Sequence, residues 1–431
     1  MHARAHERGD HSTKQQIAPH LLYVVTEDWF FASHFLPAAR KALEAGYRVT
    51  VVTRTQSRGK HLQDNGLRVL PFDLRRDSFN PLISLAQVLR LARLLRRERA
   101  DIVHLIALKP VLLGGLAALL ARTPGMVLAV TGLGYLSVAP TLPARLTRPL
   151  VTWILGGLAR LSRSRVLLEN PDDAATMRWL APNLGTRLKV VGGAGVDINH
   201  FRAFPPPKNA IPTAAVVARM LWSKGIDVAV QAQEDLARRG IQLRLLLVGA
   251  PDSKNPRAIS ESVLNQWSGV ENIRWLGHCD DVREIWQQAD IALLPSRGGE
   301  GLPKCLLEAA ACGRPIVTTD VPGCRTLVRH EKEGLIVPPG DAMALADALA
   351  TLVTDASTRH AMGTAARQRI LEGFTEAQVT DAMLALYTEL CPTQSPPPNV
   401  DETGSASVVT RPDAAPELSP ASTHTLGRPR A

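Results

Sequence analysis

The sequence has few aromatic side chains and few cysteines, and both shortages narrow its possible functions. Aromatic residues make up only 4% of the 431 residues, which argues against the base-stacking surfaces of proteins that bind single-stranded nucleic acid. The five cysteines form no Cys-x-x-Cys pair, and their number is odd. We therefore expect reduced thiols rather than a disulfide framework or a zinc site.

Long apolar runs and paired aspartates are also missing. No uninterrupted apolar run reaches the roughly 18–20 residues of a membrane-spanning helix. The start of the chain, MHARAHERGDHSTKQQ, lacks the apolar core of a signal peptide. There is no Asp-x-Asp motif, so nothing in the sequence indicates a metal ion held by paired aspartates. These absences predict a cytoplasmic protein that works without a metal or another cofactor.

Positive charge, by contrast, is abundant. The net charge is +10, which suits a nucleic acid, an anionic membrane surface or a phosphorylated substrate as a partner. No recognisable nucleic-acid-binding module accompanies this charge, so we expect no nucleic acid among the partners.

Short β-branched runs alternate with helix-like stretches in two successive series. The runs are mainly apolar, as in strands buried on both faces of a parallel sheet. Two such series predict an α/β fold with two Rossmann-like, doubly wound domains that face a cleft. The predicted strands are 21–25, 48–52, 101–105, 126–130 and 165–169 in the first series, and 214–218, 243–248, 273–277, 290–295, 314–318 and 334–338 in the second.

Composition shifts between these series set the predicted domain limits. A segment with four prolines separates the two series and is typical of a linker. The end of the chain is rich in Pro, Ser and Thr, which is typical of disorder. The predicted units are a disordered amino terminus (1–19), a first domain (20–200), the linker (201–213), a second domain (214–375), a helix that packs back on the first domain (376–390) and a disordered tail (391–431).

The stretch DIALLPSRGGEGLPKCLLE (290–308) has the composition of an anion-binding loop before a helix. Pro303 suits the first turn of such a helix. Glycines such as Gly301 allow the backbone to approach a ligand, and free N–H groups at the helix start attract an anion such as a pyrophosphate. Glu300 and Glu308 supply acceptors for sugar or ribose hydroxyls. The alternative is a plain loop residue and a solvated helix position.

Two cations follow the first strand of the second series, in VARMLWSKGID (217–227). Arg219 leaves the strand end, and Lys224 opens the next helix. At the carboxyl edge of a parallel sheet, they would stabilise the growing charge of a diphosphate leaving group. The alternative interpretation makes them ordinary loop charges.

With these residues identified, the second half resembles the nucleotide-sugar domain of the retaining family-4 glycosyltransferases. The resemblance rests on the Arg/Lys pair and on GEGLPKCLLEAAACGRPIVTTDVPGCRTLV and EGLIVPPGD, which include the Glu-x7-Glu spacing. These enzymes have the GT-B fold, in which two Rossmann-like halves face each other and the carboxyl-terminal half binds the donor.

The resemblance implies a role for each residue of the donor site. Arg219 and Lys224 would bind the donor diphosphate. Glu308 would hold the ribose hydroxyls, and Glu300 would lie beside the transferred sugar. In addition, Gly301, Leu302 and Pro303 would line the sugar and phosphates, and Leu276, Gly277 and Val282 would border the base, which in the family is usually uracil or guanine; we expect a UDP-linked donor.

The first half is similar to the branch of this family that extends polyprenyl-diphosphate-linked sugars in O-antigen, capsule and glycoprotein assembly. The similarity rests on TEDWFFASHFLPAARKALEAGYRVTVVT (26–53), DIVHLIALKPVLLGGLAA (101–118), AVTGLGYL (129–136) and LLENPDD (167–173). It implies that a sugar is transferred from a nucleoside diphosphate, with retained anomeric configuration, to a lipid-linked glycan.

Two segments depart from the wider family. Many members have a Gly-Gly loop after the first strand, where this chain has Glu-Asp-Trp-Phe (27–30), and many have a histidine where this chain has Thr131. A backbone carbonyl near Thr131 and Gly132 is an expected substitute for that side chain. The other candidates on the acceptor side are His34, His104 and Lys109; for each histidine the alternative is a hydrogen-bonded structural role.

Two stretches of the first half combine apolar residues with clustered arginines. LISLAQVLRLARLLRRER (82–99) and RLTRPLVTWILGGLARLSRSR (145–165) contain five arginines each. A basic amphipathic surface suits anionic lipid headgroups, and it predicts a peripheral protein at the inner face of the cytoplasmic membrane. The alternative is a core-facing helix with a solvated basic face.

Two other function classes are alternatives to sugar transfer. A nicotinamide-dependent oxidoreductase needs G-x-G-x-x-G directly after a strand. The nearest candidate, GGAGVD (192–197), is not followed by a plausible helix start. A non-catalytic protein that binds nucleotide sugar or scaffolds a polysaccharide assembly complex would keep the donor site without turnover.

Overall fold

The computed structural model of the chain describes residues 18–74, 80–133, 142–252 and 255–392, with only the backbone described for 142–146. The two ends predicted to be disordered, 1–19 and 391–431, lie outside the described residues except for 18–19 and 391–392. The domain limits given above stay a prediction.

The first sheet has seven parallel strands in the order β3-β2-β1-β4-β5-β6-β7. Its five long strands lie where the apolar runs predicted them, whereas the short edge strands β3 and β7 were not predicted. The strands are β1 (His20–Glu27), β2 (Arg48–Arg54), β3 (Arg68–Pro71), β4 (Ile102–Ile106), β5 (Gly125–Val130), β6 (Ser164–Leu168) and β7 (Leu188–Val190).

Helices cover both faces of this sheet. β1 is entirely buried along its length, which explains why its sequence is a continuous apolar run. The helices are α1 (Asp28–His34), α2 (Leu36–Glu44), α3 (Gly59–Asp64), α4 (Pro81–Glu98), α5 (Leu108–Ala121), α6 (Leu142–Arg160) and α7 (Pro171–Leu180).

The second sheet has six parallel strands in the order β10-β9-β8-β11-β12-β13. All six were predicted, and with the first sheet they confirm the predicted fold class of two doubly wound α/β halves. The strands are β8 (Thr213–Val217), β9 (Arg244–Val248), β10 (Ile273–Gly277), β11 (Ile291–Leu294), β12 (Ile316–Thr319) and β13 (Gly334–Val337); the helices are α8 (Ile226–Arg238), α9 (Glu261–Ser268), α10 (Arg283–Gln288), α11 (Lys304–Ala311), α12 (Pro322–Leu327), α13 (Ala342–Thr354), α14 (Ala356–Gly373) and α15 (Glu376–Leu390).

The strand order reverses direction once in each sheet. The reversal lies between β1 and β4 in the first sheet and between β8 and β11 in the second. In open α/β sheets, ligands bind outside the carboxyl ends of the strands at this switch point. The loops after β1, β8 and β11 are therefore the parts of the fold where a ligand site is expected.

The last helix, α15, belongs in space to the first half. It packs against α2, and its Tyr387 hydroxyl lies 2.9 Å from the Tyr23 hydroxyl of β1. Arg165 of β6 also pairs with Glu389 at 2.9 Å. The chain thus crosses from the second half back to the first through α15, which ties the two halves together.

None of the helices in the described ranges has both the length and the apolar composition that crossing a membrane requires. The five cysteines all lie within the described part of the chain and are free thiols.

Candidate active site

An ion pair between Lys224 and Glu300 forms the centre of the site. The ammonium Nζ lies 2.7 and 2.8 Å from the two carboxylate oxygens of Glu300. The Ser296 hydroxyl donates a further hydrogen bond of 2.8 Å to the same carboxylate. Only 19% of the Lys224 side chain and 12% of the Glu300 side chain are exposed, so the pair is shielded from the screening that weakens surface ion pairs.

A close backbone approach brings these two residues together. Lys224 lies in a 3₁₀ turn that ends at Gly225, where φ is +69°. A Cβ on Gly225 would lie 1.9 Å from the carbonyl oxygen of Pro295, the residue after β11. Only glycine fits this approach, which places the Lys224 turn directly beside the loop that carries Glu300.

Opposing electrostatic effects act on Lys224. Burial by itself lowers the pKa of the ammonium, but the charge and hydrogen bonds of Glu300 outweigh burial and raise the pKa above its ordinary value. Lys224 is therefore a fixed positive charge at neutral pH, held at the carboxyl edge of the second sheet.

Glu308 lies in the second turn of α11 and lines a cleft of about 400 Å³ with Ser33, Val282 and Lys304. Burial raises the pKa of Glu308 to about 7, although the nearby Lys304 ammonium acts in the opposite direction. That ammonium is 3.8 Å from the Glu308 carboxylate. The helix itself begins at Lys304, one residue after Pro303, which occupies the N-cap position rather than the first turn.

Arg219 lies at the carboxyl end of β8, at the rim of the site. Its guanidinium pairs with Asp252 at 2.8 Å and lies 5.8 Å from the ring centroid of Trp29. Trp29 belongs to the Glu-Asp-Trp-Phe segment that departs from the wider family. This departure therefore places an indole, instead of a glycine loop, against the proposed diphosphate-binding arginine.

Thr131 and Gly132 follow β5 and meet the Glu300 loop from the first half. A Cβ on Gly132 would lie 3.2 Å from the Gly301 nitrogen, and a Cβ on Gly301 would lie 2.6 Å from the Thr131 carbonyl oxygen. The carbonyl that we expected to face the acceptor is thus packed against the Gly301 backbone.

The two candidate histidines occupy different environments. His34 ends α1 and stacks on Phe30 at 4.2 Å; burial, reinforced by the Lys304 charge, lowers its pKa to about 3. His104 is fully buried in β4; its Nδ1 lies 2.8 Å from the Tyr387 hydroxyl, and burial lowers its pKa to about 3. Its position in the core favours the structural alternative for His104.

The remaining predicted residues are spread over both halves. Lys109 is half-buried in the first turn of α5, directly after β4. Gly277 ends the edge strand β10 with a φ of +69°, and Leu276 beside it is 47% exposed. Of the three residues predicted to border the base, only Val282 lines the same cleft as Glu308; Leu276 lines a different cavity on the second half.

Two residues of the first half that we did not predict also contact the loop. Glu169 follows β6, and its Oε2 accepts a hydrogen bond of 2.9 Å from the Leu302 N–H. Asn170 donates a bond of 3.3 Å to the Gly301 carbonyl. Burial raises the pKa of Glu169 to about 7, against the effect of the Leu302 amide. The sequence signals for them were their place at the carboxyl end of a strand and the LLENPDD segment (167–173) that resembles the family.

No group of three or more His, Cys, Asp or Glu side chains that could hold a metal ion is found in the described ranges. The expectation that no metal takes part stays a prediction. The positive charges around the loop include those of Lys224, Arg219 and Lys304.

Each half of the chain matches a family of known sequences. Residues 211–355 match the family described as Glycosyl transferases group 1, and residues 20–162 match the family described as Glycosyl transferase 4-like. Together the two matches span more than half of the chain.

Two curated proteins illustrate the similarity. The chain is 28% identical over 375 residues to the N,N'-diacetylbacillosaminyl-diphospho-undecaprenol alpha-1,3-N-acetylgalactosaminyltransferase of Campylobacter jejuni, across 82% of this chain and 94% of that protein. It is 23% identical over 314 residues to the UDP-Gal:alpha-D-GlcNAc-diphosphoundecaprenol alpha-1,3-galactosyltransferase of Escherichia coli, across 70% of this chain and 79% of that protein.

Solved structures share the fold. HepE from Anabaena, in complex with UDP and glucose, superposes with a TM-score of 0.68 at 17% identity, over 85% of this chain and 99% of that one. Sucrose-phosphate synthase from Thermosynechococcus elongatus gives a TM-score of 0.70 at 18% identity, over 87% of this chain and 100% of that one.

Proposed function

The chain belongs to the group 1, family-4-like glycosyltransferases of GT-B fold, and from this premise we propose that it transfers a sugar from a UDP-linked donor to a polyprenyl-diphosphate-linked glycan. The donor proposal is supported by the UDP in the name of the E. coli relative and by the UDP bound to HepE. The acceptor proposal is supported by the undecaprenol-linked substrates that the names of both curated relatives contain.

The observation that carries this proposal is the Lys224–Glu300 pair with Glu308 beyond it. It combines a buried ammonium suited to a diphosphate, a carboxylate suited to sugar hydroxyls and a second carboxylate on the wall of a 400 Å³ cleft. A protein that binds no donor has no need to bury these charges together, because burying a charge costs free energy unless it is paired.

The ion pair also indicates how the donor binds. As the diphosphate enters, Lys224 would exchange its bond with Glu300 for one with a phosphate oxygen. The Glu300 carboxylate, still held by Ser296, is then free to accept hydrogen bonds from the hydroxyls of the transferred sugar. Arg219 at the rim would bind the other phosphate.

Transfer would then proceed on one face of the sugar. The bond between the anomeric carbon and the donor phosphate breaks as the acceptor oxygen forms its bond to the same carbon. The proton of the acceptor hydroxyl passes to the departing phosphate. Lys224 and Arg219 stabilise the charge that builds up on the diphosphate, which is the role a metal ion plays in other transferases.

UDP is expected to protect the protein against thermal unfolding more strongly than GDP. A ligand at 100 times its Kd stabilises the native state by about 2.7 kcal/mol, so a screen of UDP- and GDP-sugars identifies the donor. Radioactive transfer from the best donor to an undecaprenyl-diphosphate-linked sugar, in the presence of EDTA, then tests the reaction. Binding without transfer would support a scaffold, and a requirement for added Mg²⁺ would contradict metal independence.

The first half also exposes apolar side chains of the kind that insert into a membrane. α4 buries Val88, Leu91 and Leu95, but Leu82 and Leu85 on the same helix are 76% and 56% exposed. A core-facing helix with a solvated basic face explains the buried set only. On α6, Trp153 is 74% exposed.

Exposed arginines lie on the same helix as Leu82 and Leu85. Arg90, Arg93 and Arg97 of α4 are exposed, and α4 and α6 both pack against α5. Apolar side chains beside clustered arginines suit an anionic bilayer surface. We propose that this face docks on the inner leaflet of the cytoplasmic membrane, which would place the cleft near a lipid-linked acceptor.

The protein is expected to sediment with phosphatidylglycerol vesicles at low salt and to be released as salt rises, because screening weakens its attraction to the lipid. Leu82→Ser combined with Leu85→Ser should lower vesicle binding by about fivefold or more. Met343→Ser, which alters a residue that is 69% exposed in the second half, is the matched control. Equal binding by all three proteins would contradict the assigned face.

A further inference from the structure

The loop that carries Glu300 is held from the first half of the chain. Glu169 accepts a hydrogen bond from the Leu302 N–H at 2.9 Å, and Asn170 donates one to the Gly301 carbonyl at 3.3 Å. The Gly301 carbonyl and the Leu302 N–H are therefore both bonded to the first half of the chain. That segment directly follows Glu300, and only Pro303 separates it from the start of α11.

Asn170 is itself held in place by Asp173. Asn170 caps α7 by accepting a 2.8 Å bond from the Asp173 N–H, and its amide donates to the Asp173 carboxylate at 2.9 Å. That carboxylate also accepts a bond from the Leu133 N–H at 3.2 Å. These hydrogen bonds thus connect the ends of β5 and β6 to the loop that carries Glu300.

Packing around Gly301 leaves no freedom in this arrangement. A Cβ at this position would lie 2.0 Å from the Glu169 carboxylate and 2.6 Å from the Thr131 carbonyl oxygen. A Cβ on Gly323 of α12 would lie 2.1 Å from the Gly301 carbonyl oxygen on the other side. The Gly301 backbone is therefore fixed between the two halves.

We propose that Glu169 is a positioning residue of the transfer reaction: through the Leu302 amide it fixes the Glu300 loop, so that the sugar end of the donor site is complete only when the two halves are closed. This inference rests on the proposed function for its kinetic consequence. The contact itself exists without any donor and is testable separately.

A contact that only stabilised the association of the two halves would not need a buried carboxylate. A contact of that simpler kind lies nearby. Asp172 pairs with Arg325 of α12 at 2.7 Å, and both side chains are more than a third exposed. Exposed pairs of this kind contribute up to about 1 kcal/mol. Glu169 is 9% exposed and contacts the loop directly. Burying a carboxylate costs more free energy than exposing it, and this direct contact fixes the position of the loop.

Glu169→Ala is expected to lower kcat at least about tenfold, while the KM for the donor changes less than about threefold. We expect kcat to change more than KM because the second half alone can bind the nucleotide, whereas transfer requires the two halves to be closed. Glu169→Gln retains an oxygen that accepts the Leu302 N–H and should recover most of kcat. Asp172→Ala, which breaks the exposed contact between the halves, is the control and should lower kcat by less than about threefold.

Amide hydrogen exchange tests the same contact without donor. The exchange rate of the Leu302 amide should rise at least about tenfold in Glu169→Ala, but not in Glu169→Gln or Asp172→Ala. Normal kcat in Glu169→Ala, equal loss in the alanine and glutamine variants, or unchanged Leu302 exchange would each overturn the proposal. If the wild-type protein transfers no sugar, the proposed function fails, and the exchange experiment still decides whether Glu169 holds the loop.

Discussion

Replacement of Lys224 by alanine is expected to lower kcat/KM for sugar transfer by about a hundredfold or more. Removing one preorganised donor of positive charge from a transition state costs on the order of 10²–10³ in rate. Lys224 is suited to such a role because Glu300 and burial hold its ammonium in one place before the donor arrives. The measurement is steady-state transfer with the donor found in the thermal screen.

The same substitution leaves the Glu300 carboxylate buried without its partner. Breaking one partner of a buried pair destabilises by about 3–5 kcal/mol, so a loss of activity could arise from unfolding alone. Lys224→Ala combined with Glu300→Gln removes both charges, and it should recover stability in urea unfolding without recovering transfer. Lys208→Ala, an exposed lysine of the linker, controls for the loss of one positive charge. Wild-type transfer by folded Lys224→Ala would remove its proposed role.

The fold could be predicted from the sequence because most of its strands are runs of mainly apolar residues. All six strands of the second sheet and the five long strands of the first were predicted from such runs. The missed strands, β3 (RVLP) and β7 (LKV), are short and lie at the sheet edges, where burial on one side leaves no continuous apolar signal. The predicted sugar-transfer activity is supported by both family matches, over the oxidoreductase and scaffold alternatives.

The sequence predicted the residues within each loop of the site, but not the contacts between the loops. Lys224 and Glu300 were predicted as neighbours of the same donor, but their direct bond depends on the approach of Gly225 to Pro295, which no local pattern reveals. Glu169 was missed for a related reason. Its partner is a backbone amide 133 positions away in the other half, and the sequence does not say how the halves close.

The two assigned carboxylates of the second half differ in their hydrogen-bond and ion-pair partners. Glu300 has a buried cation and a hydroxyl as partners, whereas Glu308 has only the Lys304 ammonium at 3.8 Å. Lys304 is itself drawn away by a 2.7 Å bond to the Ser33 carbonyl. At Glu308 burial outweighs the effect of Lys304, and it raises the pKa of the carboxyl to about 7.

This raised pKa predicts that Glu308 lowers stability at neutral pH. In the unfolded chain the carboxyl titrates near 4.5, and in the native state near 7. Between these values the native state holds a proton that the unfolded state has lost, so the free energy of unfolding falls as pH rises from 4.5 to 7 and stays level above 7. The full effect is about 3 kcal/mol, and Glu169 adds a second dependence of the same sign.

Glu308→Gln is therefore expected to raise the free energy of unfolding at pH 8 by up to about 3 kcal/mol and to flatten part of its decline between pH 5 and 7. The same variant should bind the donor at least about tenfold more weakly at pH 8, because a ribose hydroxyl loses its charged acceptor. Urea unfolding and donor titration at pH 5, 6, 7 and 8 measure both effects, and Glu234→Gln on the exposed face of α8 controls for the lost charge.

The opposite signs of the two effects make the test specific to a ribose-binding carboxylate. A solvated helix residue would change neither quantity, and a buried residue without a ligand would change stability alone. In the wild type, donor affinity should rise with pH as Glu308 loses its proton near pH 7, while stability falls over the range leading to that pH. Undiminished donor affinity in Glu308→Gln would contradict the ribose role, even if its stability rose as expected.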